Sequence, residues 1–357
     1  MSQQTPPVPS SPALWKFFAL LGGLVTACCC ALTVYGGALY VVVDRDISII
    51  PTAPLDPTCA DTRCLNACIR ALPDFEPQLS VTNEVTLLER PEGYELARYR
   101  LNLSTGELDQ VALPTVPDYL KPLQTDRKLH QRIWDYFTTL FPTTDRMYTA
   151  YMVVHANNAP ERFAASMQQL DGKWRLHVNL VDFDSPANVV DILTHEYAHL
   201  LTLNDDQVRS LKNEYGRDLE QTEFDAMHAQ CKDAFFTGFG CAKPNAYINA
   251  YGNRFWAGAI YDQWVKAFLL ADNDPAAYES AIDQLYIDHA DEFVSMYSAT
   301  NPREDIAEAW TEFILRPKPT EDTIAAQKVL FFYGYPELVQ TRQQIIQGIC
   351  QLAINQK

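Results

Sequence analysis

The residues with the clearest chemistry in this sequence form the segment His195-Glu196-Tyr197-Ala198-His199. Positions i and i+4 of an α-helix share one face, so both imidazoles can bind one zinc ion. Glu196 is turned sideways from the first histidine, where its carboxylate can take a proton from water. The pattern predicts a site for one Zn2+ with His195 and His199 as ligands and Glu196 as general base. The competing interpretation is two histidines placed by chance in a core or on a solvated face.

A buried helix must position these side chains. Ser185-Pro186 predicts its start, because Ser is a preferred N-cap and Pro is tolerated in the first turn. Apolar spacing extends the helix to about Leu203. The segment from Phe163 to Asp184 precedes it and reads as a hairpin, with Asp171-Gly172 at the turn. We expect this hairpin to form the edge of a cleft beside the helix.

Catalytic zinc usually has three protein ligands, so a third must lie elsewhere in the chain. Thr202 and Asp205 stand where the metzincin pattern requires Gly and His. Glu220 and Glu223 lack an Asp four positions later, which the thermolysin pattern requires. His228 remains a candidate, although it lies on an ordinary polar helix face.

A stronger candidate follows Asn301-Pro302, which predicts another helix start. Glu304 and Glu308 lie one turn apart on one face of that helix. Glu304 could bind zinc while Glu308 supports a ligand histidine from behind, without contacting the metal itself. Alternatively, Glu304 only completes a capping box at the third helical position. The residues alone leave both interpretations open.

The stretch around Glu304 resembles the corresponding part of the anthrax lethal factor family of gluzincins. That family has a Tyr, then a Thr-Asn pair, then Glu-x-x-Ala-Glu; this chain has Tyr297, Thr300-Asn301, and Glu304 to Glu308. The resemblance covers roughly residues 185–315. It implies a zincin-like fold, Glu304 as the third zinc ligand, and Tyr297 as a donor to the transition-state oxyanion.

One departure from that family is the spacing of the two motif segments. Glu304 lies 105 positions after His199, which is more than the family pattern leads us to expect. The excess includes the segment from Cys231 to Trp264, which is rich in Gly and aromatic residues. We expect this segment to form an extra lobe beside the cleft.

The order of elements predicts an α+β fold: a small sheet, then the active-site helix, then a mainly helical C-terminal half. Strand patterns cover Tyr94 to Leu103 and Met147 to His155, and an amphipathic helix pattern covers Leu129 to Phe141. Helical patterns in the second half cover 206–230, 254–271, 275–297, 302–315 and 321–355.

The N-terminal region predicts a membrane anchor. No charged residue occurs from Phe17 to Val43, and about 20 apolar residues suffice to cross a bilayer as a helix. Val25-Thr26-Ala27-Cys28 also resembles a lipobox, which would make Cys28 a lipidated N-terminus, but the apolar run continues well past it. The predicted organisation is a disordered cytoplasmic tail at 1–13, one transmembrane helix at 14–43, an extracytoplasmic stalk or lead-in at 44–115, and a zincin-like metallopeptidase domain at 116–357.

The nine cysteines point to an oxidising compartment. Three lie in the apolar run, and the remaining even number suits disulfides, with reduced thiols as the alternative. Cys231 and Cys241 flank a short Gly-containing segment and are predicted to pair. Cys59, Cys64 and Cys68 are too close together to pair off completely among themselves, so we expect at least one to reach a distant partner.

The formal net charge of −17 argues against nucleic-acid binding, which requires basic patches. Together these patterns predict a single-pass cell-membrane zinc endopeptidase with its catalytic domain outside the cytoplasm and a peptide or protein substrate. The alternative is a catalytically inert zinc-binding surface or adhesion domain. The sequence gives neither the cleavage preference nor the oligomeric state.

Overall fold

The computed structural model describes residues 61–73, 93–102, 107–157, 163–170, 173–183, 185–211, 221–232, 234–238, 240–271 and 274–355. The predicted cytoplasmic tail, transmembrane helix and Cys28 lipidation site lie outside these residues. Within the described ranges, no helix combines the length and hydropathy needed to span a membrane. Leu55–Lys357 forms one compact unit.

A five-stranded mixed sheet forms the first layer, with the strand order β2-β1-β3-β5-β4. The strands are β1 (Tyr94–Leu101), β2 (Leu108–Ala112), β3 (Thr149–Ala156), β4 (Ala165–Leu170) and β5 (Lys173–Asn179). Strands β3 and β5 are parallel and the other neighbours are antiparallel. The pairing of β4 with β5 confirms the predicted hairpin. Since β1 and β2 precede residue 116, part of the predicted lead-in belongs to this sheet.

Helices dominate the chain after the sheet, as predicted. Those up to the histidine motif are α1 (Thr62–Ala71), α2 (Lys121–Thr125), α3 (Arg127–Leu140), α4 (Thr143–Arg146) and α5 (Pro186–Leu203). Those that follow are α6 (Gln221–His228), α7 (Tyr247–Phe255), α8 (Ala259–Phe268), α9 (Pro275–Asp288), α10 (Pro302–Leu315), α11 (Ile324–Phe332) and α12 (Pro336–Asn355). Tyr297–Thr300 forms a 3-10 helix directly before α10.

The predicted helix over 206–230 is wrong at its start. Asn204 ends α5, and its side-chain oxygen accepts a hydrogen bond from the Asp206 N–H at 2.8 Å, which turns the chain out of the helix. Strand β6 (Val208–Ser210) then pairs with β7 (Gly240–Ala242). A local side-chain bond and a distant strand partner therefore override the helical spacing.

Three other predicted helices are shorter than their patterns. The pattern over 254–271 is interrupted between α7 and α8, where Gly258 adopts φ of 93°, a left-handed conformation that ends regular helix. The pattern over 275–297 ends at Asp288. The pattern over 321–355 breaks before Pro336, which begins a separate helix.

One disulfide closes a short loop and another joins segments that lie far apart in the sequence. Cys231 is bonded to Cys241, which confirms that prediction. Cys68 of α1 is bonded to Cys350 of α12, so one of the clustered cysteines does reach a distant partner. Cys64 is also disulfide-bonded. Helix α1 is thereby tied to helix α12.

Candidate metal centre

Helix α5 presents the histidine motif from a fully packed position. The Ser185 hydroxyl accepts a hydrogen bond from the Asn188 N–H, and Pro186 occupies the first turn. Val190 and Leu193 are fully buried beneath the motif. The helix therefore holds His195 and His199 on one face with little freedom to rotate.

Helix α10 faces α5 and supplies the acidic side chains. The Asn301 side-chain oxygen accepts hydrogen bonds from the N–H groups of Arg303 and Glu304, which fixes where the helix begins. Glu304 Oε2 lies 3.0 Å from His195 Nε2 and 3.2 Å from His199 Nε2. The carboxylate of Glu304 thus lies between the two imidazoles of the facing helix.

The three side chains form a cluster that could hold a metal ion. One ligand atom from each of His195, His199 and Glu304 lies within 4.8 Å of the other two. Ligands bound to one tetrahedral zinc at 2.0–2.1 Å are about 3.3 Å apart, close to the 3.0 and 3.2 Å observed here. The side chains are 12%, 6% and 12% exposed, so a cation there would be largely shielded from solvent. The donor set and its spacing therefore fit a bound metal ion.

The second nitrogen of His195 is also held. Its Nδ1 lies 2.9 Å from Glu308 Oε1, and the Ser295 hydroxyl donates to the other oxygen of Glu308 at 2.7 Å. This chain fixes the ring orientation and leaves Nε2 directed at Glu304. It is the arrangement that commonly supports a metal-bound histidine from behind.

The close approach of the histidine and glutamate side chains shifts the pKa values of both. Burial raises the pKa of Glu304, but the charges and hydrogen bonds of His199 and His195 lower that pKa well below its ordinary value. Burial lowers the pKa of His195, but its hydrogen bonds to Glu304 and Glu308 raise that pKa well above normal. The Glu304 carboxylate is consequently ionised, as an anionic ligand must be.

Glu196 is buried beside this cluster and faces an open cleft of about 360 Å³. Its Oε2 has no hydrogen-bond partner among the described residues, whereas the Met167 N–H of β4 interacts with the carboxylate and lowers its pKa. Burial has the larger effect and raises the pKa of Glu196 overall, with His199 and His195 acting against it. The free oxygen is available to a water or substrate atom in the cleft.

Tyr297 forms part of the wall of the cleft, which Ala165 of β4 also lines. It begins the 3-10 helix before α10, its ring centre lies 5.8 Å from that of His195, and it is 46% exposed. The phenol is therefore near the cluster and accessible from the cleft. Four of the six residues predicted for the site line this cleft, namely His195, Glu196, Tyr297 and Glu308. The other two, His199 and Glu304, contact each other beside His195.

The other candidates for a third ligand lie outside the cluster. The ring of His228 packs against Phe236 and Tyr261, at centre distances of 5.4 and 5.9 Å. Thr202 donates to the Ala198 carbonyl, and Asp205 accepts from Gln169. These contacts are structural. Glu223 lies on α6 with His228, and Glu220 lies outside the described residues.

No protein-family model, curated protein or solved structure matches this chain.

Several residues that the motifs did not indicate lie in or beside the cleft. Asp191 also lines it, and its position one turn before His195 on α5 was a usable signal. Phe163 lines the cleft beside β4 and is 68% exposed. Ser295 orients Glu308 from the loop before the 3-10 helix, and no sequence pattern marks it.

Proposed function

We propose that this protein is a zinc-dependent endopeptidase in which His195, His199 and Glu304 bind one zinc ion. The observation that carries the proposal is the buried, unpartnered Glu196 oxygen beside the two-histidine, one-carboxylate cluster in an open cleft. A buried polar atom without a partner is costly, so such atoms are concentrated where function requires them. The resemblance to the lethal factor family supports the same assignment.

Zinc in such a centre supplies Lewis-acid chemistry, since it acidifies water and polarises a carbonyl group. Glu196 accepts the proton of the attacking water and later delivers it to the leaving amine. The Tyr297 hydroxyl donates a hydrogen bond to the oxyanion that develops on the scissile carbonyl. Glu308 holds the ring of His195 in the orientation that binding requires.

Strand β4 is suited to bind an extended peptide. The Asn179 N–H donates to the Ala164 carbonyl, so the backbone polar groups of Ala164 face β5. Since these groups alternate along an antiparallel strand, those of Ala165 and Met167 face the other way, toward the cleft. The backbone N–H of Met167 interacts with the Glu196 carboxylate. The backbone groups of Ala165 therefore remain to pair with the substrate backbone. An added strand would thereby run past the general base.

We further propose that the protein is held in the cell membrane by its N-terminal apolar run, with the catalytic unit outside the cytoplasm. The disulfides Cys68–Cys350 and Cys231–Cys241 support an oxidising compartment, because such bonds are rare in reducing ones. Cys28 lipidation is the alternative means of attachment.

Replacing Glu196 with Gln tests the proposal. The amide retains size and hydrogen bonding but cannot take a proton, so peptide cleavage should fall by about 100- to 10,000-fold while zinc content is unchanged. Cleavage of a peptide library by the full-length chain, read by mass spectrometry with and without a zinc chelator, measures this.

Glu279→Gln is the matched control, because Glu279 is exposed on α9 outside the cleft. It should cleave like the wild type. Cleavage by Glu196→Gln at the control's rate would contradict the general-base assignment. Zinc binding by the wild type without any cleavage would favour the inert surface or adhesion domain instead.

A further inference from the structure

Behind the acidic face of α10, a fully buried polar cluster surrounds Asp305, the residue that follows Glu304. Its Oδ2 lies 2.8 Å from Lys328 Nζ, and neither side chain has any exposed surface. The same oxygen accepts hydrogen bonds from Trp256 Nε1 at 2.7 Å and from the Tyr251 hydroxyl at 3.0 Å. Two residues from helix α7 and its C-terminal end, and one from α11, therefore converge on one carboxylate oxygen.

These partners restrain the backbone as well as the side chain. The Tyr251 hydroxyl also lies 3.2 Å from the Asp305 carbonyl oxygen, and Trp264 Nε1 donates to the Thr300 carbonyl at 2.9 Å. The restrained atoms lie on both sides of Glu304. The first turn of α10, which aims Glu304 at the histidines, is thus fixed from its buried side.

Stability alone is a poor explanation for this arrangement. Removing both charges of an ion pair from water is so costly that well-packed apolar replacements are often equally stable or more so. Lys328 is further accommodated by the ring of Phe293, whose centre lies 4.1 Å from its Nζ. The hydrogen bonds that Trp256 and Tyr251 donate to Asp305 are directional, unlike apolar packing, so they can restrict the rotation of α10 about its axis.

We propose that Tyr251, Trp256 and Lys328 are positioning residues, which act through Asp305 to set the carboxylate of Glu304 toward His195 and His199. This inference rests on the proposed zinc centre. It also gives the segment from Cys231 to Trp264 a role: it supplies Tyr251, Trp256 and Trp264, and so supports the zinc-ligand helix from behind.

Tyr251→Phe and Trp256→Phe test the proposal, because each removes one donor and keeps an aromatic ring. Lys328→Met is unsuitable alone, since it leaves Asp305 buried without its counter-charge and threatens folding. The zinc dissociation constant of the full-length chain is measured by competition with a chromogenic chelator, at equal folded fraction. We expect each variant to bind zinc about tenfold more weakly, at the lower end of losses for residues that support metal ligands. The visible spectrum of the Co2+-loaded variants should also change, because it reports ligand geometry.

Tyr99→Phe is the matched control. Tyr99 is buried and its hydroxyl pairs with His130 Nδ1 at 2.7 Å, so this variant loses a comparable bond away from the zinc centre. It should bind zinc within about twofold of the wild type. Wild-type affinity in both Tyr251→Phe and Trp256→Phe, or an equal loss in Tyr99→Phe, overturns the proposal.

Glu304→Ala separates this inference from the proposed function. If Glu304→Ala binds zinc as tightly as the wild type, Glu304 is not a ligand and both ideas fail. If Glu304→Ala loses zinc while Tyr251→Phe and Trp256→Phe do not, only the positioning role fails. If Glu304→Ala and the two aromatic variants all bind zinc more weakly, in a protein that cleaves no peptide, the positioning role is supported and the proposed peptidase activity is refuted.

Discussion

His195 uses both ring nitrogens, and this gives the two glutamates of α10 different tasks. Glu304 contacts the nitrogen that faces the cluster, whereas Glu308 contacts the nitrogen behind it and is held by Ser295. Spacing alone predicted that both glutamates share a face, but it could not decide between a ligand and a capping box. The position of the Glu304 carboxylate between two imidazoles favours the ligand.

Tyr297→Phe is the prediction that isolates the oxyanion donor. The ring is retained, so zinc affinity should be unchanged, whereas loss of the hydroxyl should lower kcat by about 100- to 1,000-fold. Steady-state kinetics on a cleaved peptide, with kcat and KM determined separately, provides the measurement. Tyr151→Phe, at a partly exposed tyrosine on β3, serves as control. Equal kcat values for Tyr297→Phe and its control would remove Tyr297 from the mechanism.

At the scale of elements, sequence prediction succeeded where local signals are strong. Helix α10 spans Pro302–Leu315 as predicted, because Asn301 and Pro302 give an unambiguous start. Helix α5 and the β4–β5 hairpin follow for similar reasons. Strand β6 was missed because its partner β7 lies about 30 residues later, and helical spacing does not report such pairing.

Helix α7 contains a glycine, Gly252, whose close packing cannot be predicted from helix propensity. A Cβ added to Gly252 would lie 2.4 Å from the ring of Phe235. Helix propensity alone favours Ala over Gly by about 1 kcal/mol, but such overpacking typically costs about 1–3 kcal/mol. We therefore expect Gly252→Ala to destabilise the protein, as a lower urea midpoint. A midpoint at or above that of the wild type would contradict the close packing of α7.

Gly258→Ala provides the contrast for that experiment. No atom lies within 4 Å of a Cβ built there, but the φ of 93° is unfavourable for a side chain. Any loss of stability at this position therefore reports the backbone conformation between α7 and α8, rather than a clash.

At the scale of the whole molecule, the Cys68–Cys350 disulfide closes a loop of 282 positions between the first and last described helices. The sequence indicated that a clustered cysteine needs a distant partner, but the partner's identity depends on the packing of α1 against α12. Replacing both cysteines with Ala should lower the free energy of unfolding by about 2–4 kcal/mol, since the unfolded chain regains its freedom.

Chemical denaturation of the double variant, compared with the wild type under oxidising conditions, measures that loss. Reducing the disulfides of the wild type with a thiol should also lower its denaturation midpoint. An unchanged midpoint for the Cys68→Ala/Cys350→Ala protein would show that the bond contributes nothing to the stability of the unit.

The central claim is that one zinc ion is bound by His195, His199 and Glu304. Zinc bound per full-length chain, measured by atomic absorption after dialysis at equal folded fraction, tests it most directly. We predict one zinc in the wild type and in His228→Ala, loss of zinc in Glu304→Ala, and a milder, roughly 10- to 100-fold weakening of affinity in Glu308→Ala. Full zinc occupancy in Glu304→Ala, or zinc loss in His228→Ala, would contradict the claim.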